Sequence, residues 1–294
     1  MVYYDYSTKN KSFINTSKHL TTSGYRYATK ILKLVNKALV GVDPFGDLTP
    51  EQQEMVKKEI EVNPWYFVRE CVVIKDVGSE AKPFNLRKPI FLLLDTMFTD
   101  RKTYTTTVRQ AGKTTTFGVV AKRNSILGKN TAFLNTSIND ANYFKKIVDT
   151  RIVVPSFLES EGELLCLSTY NRGTIDNKLD DLLEMDHVLV DNVEFHRNPS
   201  EIVNKLFKAK KVNMASSWNS NLPKQQEEDL NEFFSACPEV SISNLANPYD
   251  RQKPYRISIN IYSALTRTQA NHLRKVLMVE NNSHPDLQIR KPKN

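Results

Sequence analysis

An α/β fold, a mainly parallel sheet flanked by helices, is predicted by three features of this 294-residue sequence. From Thr103 onward, short β-rich runs alternate with helical ones, which is the pattern of a parallel sheet covered on both faces. One such run leads directly into Gly112-Lys113-Thr114 and then a helical stretch. Another, Asp186 to Asp191, is an apolar strand that ends in an acid. A chain of this length buries a sizeable core, so one α/β unit with an added N-terminal helical region accommodates it.

Taken in order, residues 1–20 are polar and sprinkled with aromatics, and are expected to form a loosely held arm. A helix is expected from about Gly24 to Val40, with Ile31, Leu32, Leu34 and Val35 on one apolar side. It gives way to the turn segment Gly41 to Asp47, where Pro44 cannot continue a helix and Gly46 permits a reversal. Thr49-Pro50-Glu51-Gln52 supplies an N-cap hydroxyl, a proline at the first helical position and a glutamine at the third, so a helix starts there and stops before Asn63-Pro64. Strands are expected at Thr103 to Val108, Thr131 to Asn135, Leu164 to Ser168, His187 to Val190 and Lys211 to Ala215. Helices fall between them at Lys113 to Arg123, Asp140 to Val153 and Ser200 to Lys208, the last announced by Asn198-Pro199-Ser200-Glu201. Beyond Ser216 the chain turns polar and helical around Gln225 to Ala236. A final helix starts at Thr266-Arg267-Thr268-Gln269, and Pro285 to Asn294 reads as a disordered tail or linker. The expected division is an N-terminal arm and helical region over 1–82, a core over 83–265, and a C-terminal helix and tail over 266–294.

The 41 Lys and Arg against 33 Asp and Glu give a net charge of +8, which favours a polyanionic partner but equally describes a generic basic protein. The longest apolar stretch, Ile90 to Leu94, stops at Asp95, so no membrane span is expected. The N-terminus carries no signal-peptide core, and Cys71, Cys166 and Cys237 form no close pair or metal-like spacing. An intracellular, reducing setting without a disulfide framework or structural zinc is expected.

The stretch from Thr106 to Thr116 carries the chemistry. A strand running into Gly-Lys-Thr and a helix gathers backbone N–H groups and the positive helix end around one point, which suits a polyphosphate. Gln110, Ala111, Gly112 and Thr115 would line that turn, Lys113 would reach the β- and γ-phosphates of ATP, and the Thr114 hydroxyl would ligate Mg²⁺. The usual pattern has glycine five positions before Gly112, and here Thr107 stands there.

With Arg109-Gln110 ahead of Gly112-Lys113-Thr114, the turn resembles the deviant phosphate loop of the tailed-bacteriophage terminase large subunit, in its ATPase (DNA-packaging motor) domain. The resemblance implies a P-loop NTPase fold of the ASCE/RecA-like kind. It implies that Arg109 senses the γ-phosphate from within the loop; the plainer reading is that it pairs with an acidic neighbour. Asp191 becomes the Mg²⁺ carboxylate. The family usually has glutamate next, but here Asn192 follows, and an amide holds a water without taking its proton. Glu194 then either serves as the catalytic acid or is a solvated loop acid, unless Asn192 is itself an engineered change.

Leu134 to Ser137, with Ala141, Phe144, Ile147 and Pro155-Ser156-Phe157-Leu158, resembles the second strand and helix of such motors, and Ser216-Ser217 sits where they keep a coupling motif. Those serines are equally an ordinary strand-end cap. Asn63 to Glu70 and Phe84-Asn85-Leu86-Arg87 resemble the region that seats adenine, without its customary glutamine; Trp65, Tyr66 and Phe67 are core by default. The resemblance spans Asn63 to Ser217.

It implies ATP-driven translocation of double-stranded DNA into a procapsid, in the cytoplasm of the infected host cell. The partners would be a homo-oligomeric ring, pentameric on the capsid, the portal protein and the small terminase subunit, with no membrane. Arg172 is either an arginine acting in trans on a neighbour's site or a surface arginine, and Lys208, Lys210 and Lys211 either contact DNA phosphates or form a solvated helix end. No strand-borne acid pairs follow Ser217, so no nuclease domain is expected in this chain. The competing readings are a helicase or translocase on the same sheet, and a nucleotide-binding scaffold with little hydrolysis.

Overall fold

The β-rich runs become β1 (Lys102–Thr107), β2 (Thr131–Asn135), β3 (Leu164–Ser168), β4 (His187–Val190), β5 (Val212–Ser217), β6 (Glu239–Leu245), β7 (Tyr255–Tyr262) and β8 (Leu287–Arg290). The computed structural model describes residues 3–22, 28–98, 102–169, 180–196, 199–217, 228, 239–245, 255–262 and 287–290. Among the described residues these strands make one eight-stranded sheet in the order β8-β6-β7-β1-β5-β4-β2-β3. From β1 to β3 every neighbouring pair is parallel, whereas β7, β6 and β8 are joined on antiparallel. The fold is therefore α/β with a mainly parallel sheet. The parallel register sets Thr107 beside Ser217, Met214 beside Val190 and Val190 beside Leu134, so the carboxyl ends of β1, β5, β4 and β2 share one edge.

Parallel strands are buried on both faces, which is why they read as near-continuous apolar runs. Alternate residues nevertheless serve different cores. Phe133, Leu189 and Ala215 join one apolar cluster, while Ala132, Leu134, Val188, Val190 and Met214 join another on the opposite face.

The helices are α1 (Lys11–Thr22), α2 (Pro50–Val62), α3 (Pro64–Glu70), α4 (Lys88–Met97), α5 (Lys113–Ile126), α6 (Ile138–Lys146) and α7 (Pro199–Leu206). Residues of α1 to α6 pack into the first cluster and those of α7 into the second. α2 begins as its sequence dictates: Thr49 Oγ1 accepts from the Gln52 N–H at 3.3 Å, and Gln52 Oε1 accepts from the Thr49 N–H at 2.9 Å. α6 continues as a π-helical turn, Ile147–Arg151, and then a short strand, Ile152–Val153, where a helix through Val153 was expected. Gly118 on α5 lets that turn close in: a Cβ there would lie 2.7 Å from Ile152 Cδ1 and 3.5 Å from Ile147 and Val148.

Three further expectations are corrected. Residues 11–22 are a helix rather than part of a loose arm, because Phe13, Thr16, Ser17 and Leu20 recur at helical spacing and are buried. Thr16 also donates to the Leu86 carbonyl at 2.8 Å, and Asn10 to that of Phe84 at 2.9 Å. The described part of the expected Gly24 to Val40 helix is instead two 3₁₀ turns, Ala28–Leu32 and Lys37–Leu39, around the short strand Lys33–Leu34. Buried Glu59 explains this, for its two oxygens accept the Val35 and Asn36 N–H groups at 2.9 Å each and so offer that backbone an alternative to a helix. Finally, Leu287–Arg290, expected within a tail, pairs with β6 at the sheet edge. The expected helices around Gln225 to Ala236 and from Thr266 lie outside the described residues, apart from residue 228.

Candidate functional site

At the carboxyl edge, β1 stops at Thr107 and the chain doubles back into α5 within a few residues. Gln110 (φ 56°) and Gly112 (φ 94°) take left-handed conformations to make that turn. A side chain at Gly112 would meet Ile90 Cδ1 at 3.3 Å and the Arg87 guanidinium at 3.5 Å, so α4 backs the turn closely. No side chain caps α5, which leaves the amides of its first turn to whatever occupies the space before them.

Lys113, the first residue of α5, is only 6% exposed. Its ammonium donates to Ser217 Oγ at 3.1 Å and to the Val108 carbonyl at 3.4 Å, and among the described residues it touches no carboxylate. Burial pulls its pKa below the ordinary lysine value, Asp191 and Glu194 push it back up, and Arg109 lowers it further. Beside it, the Thr114 hydroxyl donates to Asp191 Oδ2 at 2.5 Å. Asp191 is fully buried, which raises its pKa against the lowering effects of Lys113, the Thr114 hydroxyl and the Asn192 N–H, while Asp140 raises it further. The Asn192 N–H donates to Asp191 Oδ1 at 3.0 Å.

After Asp191 the chain reverses sharply. Asn192 is left-handed at φ 56°, and Val193–Phe195 forms a 3₁₀ turn. This returns Glu194 to the sheet edge, buried, with Oε1 accepting the Ser217 backbone N–H at 2.8 Å. Its Oε2 is also buried and, among the described residues, has no hydrogen-bond partner. An orphaned buried carboxylate oxygen costs free energy, so this atom calls for an explanation. Arg109 is exposed and lies over the Phe195 ring, 5.3 Å from its centre; among the described residues it pairs with no acid.

Of the residues singled out from sequence, Lys113, Thr114, Asp191, Asn192, Glu194, Ser217 and Arg109 with its turn come together at this edge. Ser216 faces elsewhere, with its Oγ accepting the Tyr104 phenol at 2.7 Å. Arg172 lies outside the described residues. Sequence reasoning missed Tyr104, whose buried phenol is raised above its usual range by desolvation and by the Glu194 charge. It also missed His196. That ring's Nε2 lies 3.1 Å from the Asp191 carbonyl and so must carry the proton, leaving Nδ1 to accept from the Thr169 hydroxyl. Burial lowers the His196 pKa to about 4, so a neutral ring ties the end of β3 to Asp191. Only the alternation of polar residues at strand ends hints at either side chain, and many surface positions share that signal.

Searched against protein-family models and curated proteins, the chain matches none. Among the described residues no helix is long and apolar enough to cross a membrane.

Proposed function

We propose that this chain is a P-loop ATPase of the ASCE/RecA-like kind, the motor domain of a terminase large subunit that drives double-stranded viral DNA into a procapsid. The observation that carries the nucleotide reading is the meeting of the Gly-Lys-Thr turn with Asp191, Thr114 Oγ1 to Asp191 Oδ2 at 2.5 Å, beside a buried lysine that touches no carboxylate among the described residues. The strand order supports it too, because β5 lies between the strand entering the turn and the strand carrying Asp191. The packaging assignment rests on the Arg109-Gln110 variant of the loop.

The side chains fit Mg²⁺-ATP. A hydroxyl and a carboxylate are hard oxygen donors of the kind Mg²⁺ takes alongside phosphates and waters. Thr114 and Asp191 would hold the ion, whose positive charge neutralises phosphate oxygens when bound. Lys113 and the α5 amides bind the β- and γ-phosphates. Glu194 uses its free Oε2 to orient the attacking water and receive its proton, and Arg109 adds positive charge at the γ-phosphate. Asn192 holds water without accepting a proton. Because Ser217 binds both Lys113 and Glu194, loss of the γ-phosphate changes the forces on the end of β5. In this reading the subunits form a ring on the capsid, a pentamer, with portal and small-subunit partners in the host cytoplasm.

A second reading, a nucleotide-binding scaffold with little hydrolysis, is favoured by Asn192 standing directly after Asp191. Steady-state ATPase assays with and without double-stranded DNA separate the two. The motor reading expects Mg²⁺-dependent hydrolysis stimulated by DNA, and a loss of about 100-fold or more in kcat for Glu194→Gln with nucleotide affinity retained. Nucleotide binding without turnover under every condition gives the scaffold, and strand separation on a forked duplex gives a helicase.

A further inference from the structure

We propose that His196 is a positioning residue, whose ring closes the loop from Asp191 to His196 and thereby fixes the Glu194 carboxylate at the end of β5. The chemical consequence rests on the nucleotide reading above, in which Glu194 orients the attacking water. The placement of Glu194 does not depend on it.

Two features of this loop cost free energy. Asn192 is left-handed at φ 56°, and Glu194 is buried with Oε2 unpaired among the described residues. The loop's own backbone bonds, from the Phe195 N–H to the Asn192 carbonyl at 2.9 Å and from the His196 N–H to the Val193 carbonyl at 3.2 Å, make only a 3₁₀ turn. A turn that short does not persist unaided. Val193 is buried in the apolar cluster that holds Val188 and Val190, but apolar burial is non-directional and does not aim the neighbouring side chain.

The histidine supplies the direction. Its Nε2–H donates to the Asp191 carbonyl at 3.1 Å, so one side chain joins the last residue of the loop to the first. Its Nδ1 accepts from the Thr169 hydroxyl, which keeps the proton on Nε2, facing Asp191. Both anchors are held by the sheet. The Thr169 N–H donates to the Asn135 carbonyl at 2.9 Å, and the Asp191 N–H donates to the Leu134 carbonyl at 3.1 Å. The ring therefore spans the carboxyl ends of β2, β3 and β4, and both His196 and Thr169 are buried, where water does not compete for these bonds. Between Glu194 and His196 stands Phe195, with the Arg109 guanidinium 5.3 Å from its ring centre, so the same closure also fixes the surface on which Arg109 rests.

Side-chain reach separates this role from packing alone. Glutamine carries an amide N–H out to where Nε2 lies and bonds the Asp191 carbonyl, whereas asparagine, one methylene shorter, reaches only as far as Nδ1. Closure of the loop therefore survives His196→Gln and is lost in His196→Asn.

Amide hydrogen exchange of the full chain without nucleotide, read at the Ser217 N–H that Glu194 accepts, tests the placement. His196→Asn is expected to raise Ser217 exchange about tenfold or more, and His196→Gln to remain within about threefold of wild type. Thr169→Val removes only the hydroxyl that fixes the tautomer, is expected to raise Ser217 exchange about threefold, and carries the test if the asparagine variant does not fold. Unchanged exchange at Met214, within β5, and the thermal midpoint report that the sheet is intact. In steady-state ATPase assays kcat is expected to fall about tenfold or more in His196→Asn, with KM within about twofold, and to recover in His196→Gln. The inference is overturned if neither His196→Asn nor Thr169→Val speeds Ser217 exchange, if the glutamine and asparagine variants are equally impaired, or if kcat is unchanged while Ser217 exchange rises. Faster Ser217 exchange in His196→Asn, in a chain whose wild type turns over no ATP, leaves the placement of Glu194 standing and counts against the nucleotide reading alone.

Discussion

Asn192 holds φ at 56°, a left-handed conformation that asparagine tolerates and a longer L side chain resists. That one angle starts the turn bringing Glu194 back to the sheet edge. Asn192→Glu is accordingly expected to lose about 1 kcal/mol of stability in urea titration, without gaining hydrolysis, since in the proposed reading Glu194 already supplies the acid. Gly112 is constrained twice, by φ 94° and by Ile90 at 3.3 Å from an added Cβ. Gly112→Ala should cost about 1–2 kcal/mol and also lose nucleotide affinity, which a fluorescent ATP titration reads directly. Residues that act through their neighbours in sequence are legible in the chain itself: the Gly-Lys-Thr turn and Asp191 announce themselves by what precedes and follows them. Tyr104 and His196 are not, because the side chains they bond lie 112 residues away at Ser216 and 27 away at Thr169. The place of Glu194 is half legible, as it depends on a turn that three residues could make in either direction.

The elements follow the same division between local and distant causes. The capping box of α2 and the strands β1 to β5 are written in contiguous residues and appear within a residue or two of the expected bounds. Thr49→Ala should shift the urea midpoint by about 1 kcal/mol of stability, because it removes a cap with both of its hydrogen bonds formed. α4 is hidden in the sequence since it is buried from Pro89 to Met97 and so lacks the one-sided pattern that identifies a helix. α1 is hidden because its buried face uses Thr16 and Ser17 beside Phe13 and Leu20, which dilutes the apolar signal. Another tertiary constraint sits at Gly162, where a Cβ would stand 2.3 Å from the Lys129 carbonyl oxygen. Backbone cannot give as a side chain does, so Gly162→Ala is expected to lower stability by about 1–3 kcal/mol in the same titration, loosening the entry into β2.

At the scale of the whole molecule, two buried neutral histidines couple stability to pH. Folding lowers His187 to about 3 and His196 to about 4, mainly by burial, from an ordinary value of 6.5. Between those values and 6.5 the unfolded chain binds more protons, so their contribution is complete above pH 6.5 and is lost as pH falls through this window. Each ring contributes a slope approaching about 1.4 kcal/mol per pH unit. His187→Gln, which keeps one donor and one acceptor for Asn213 and Asn124, should flatten the fall in urea midpoint between pH 6.5 and 5; an unchanged slope would show that the ring is already solvated. The antiparallel extension β7, β6 and β8 is only partly legible: Tyr255 to Tyr262 alternates apolar and polar residues as a strand does, a signal the sequence reading passed over, whereas the pairing of β7 with β1 and of β6 with β7 and β8 is decided by long-range contact. What unifies the molecule is the edge where a Gly-Lys-Thr turn meets Asp191. The most direct measurement is equilibrium binding of a fluorescent ATP analogue, with and without Mg²⁺, to wild type, Lys113→Ala and Asp191→Asn. The account predicts Mg²⁺-enhanced binding that is lost in the first variant and no longer responds to Mg²⁺ in the second, whereas equal binding by all three proteins would contradict it.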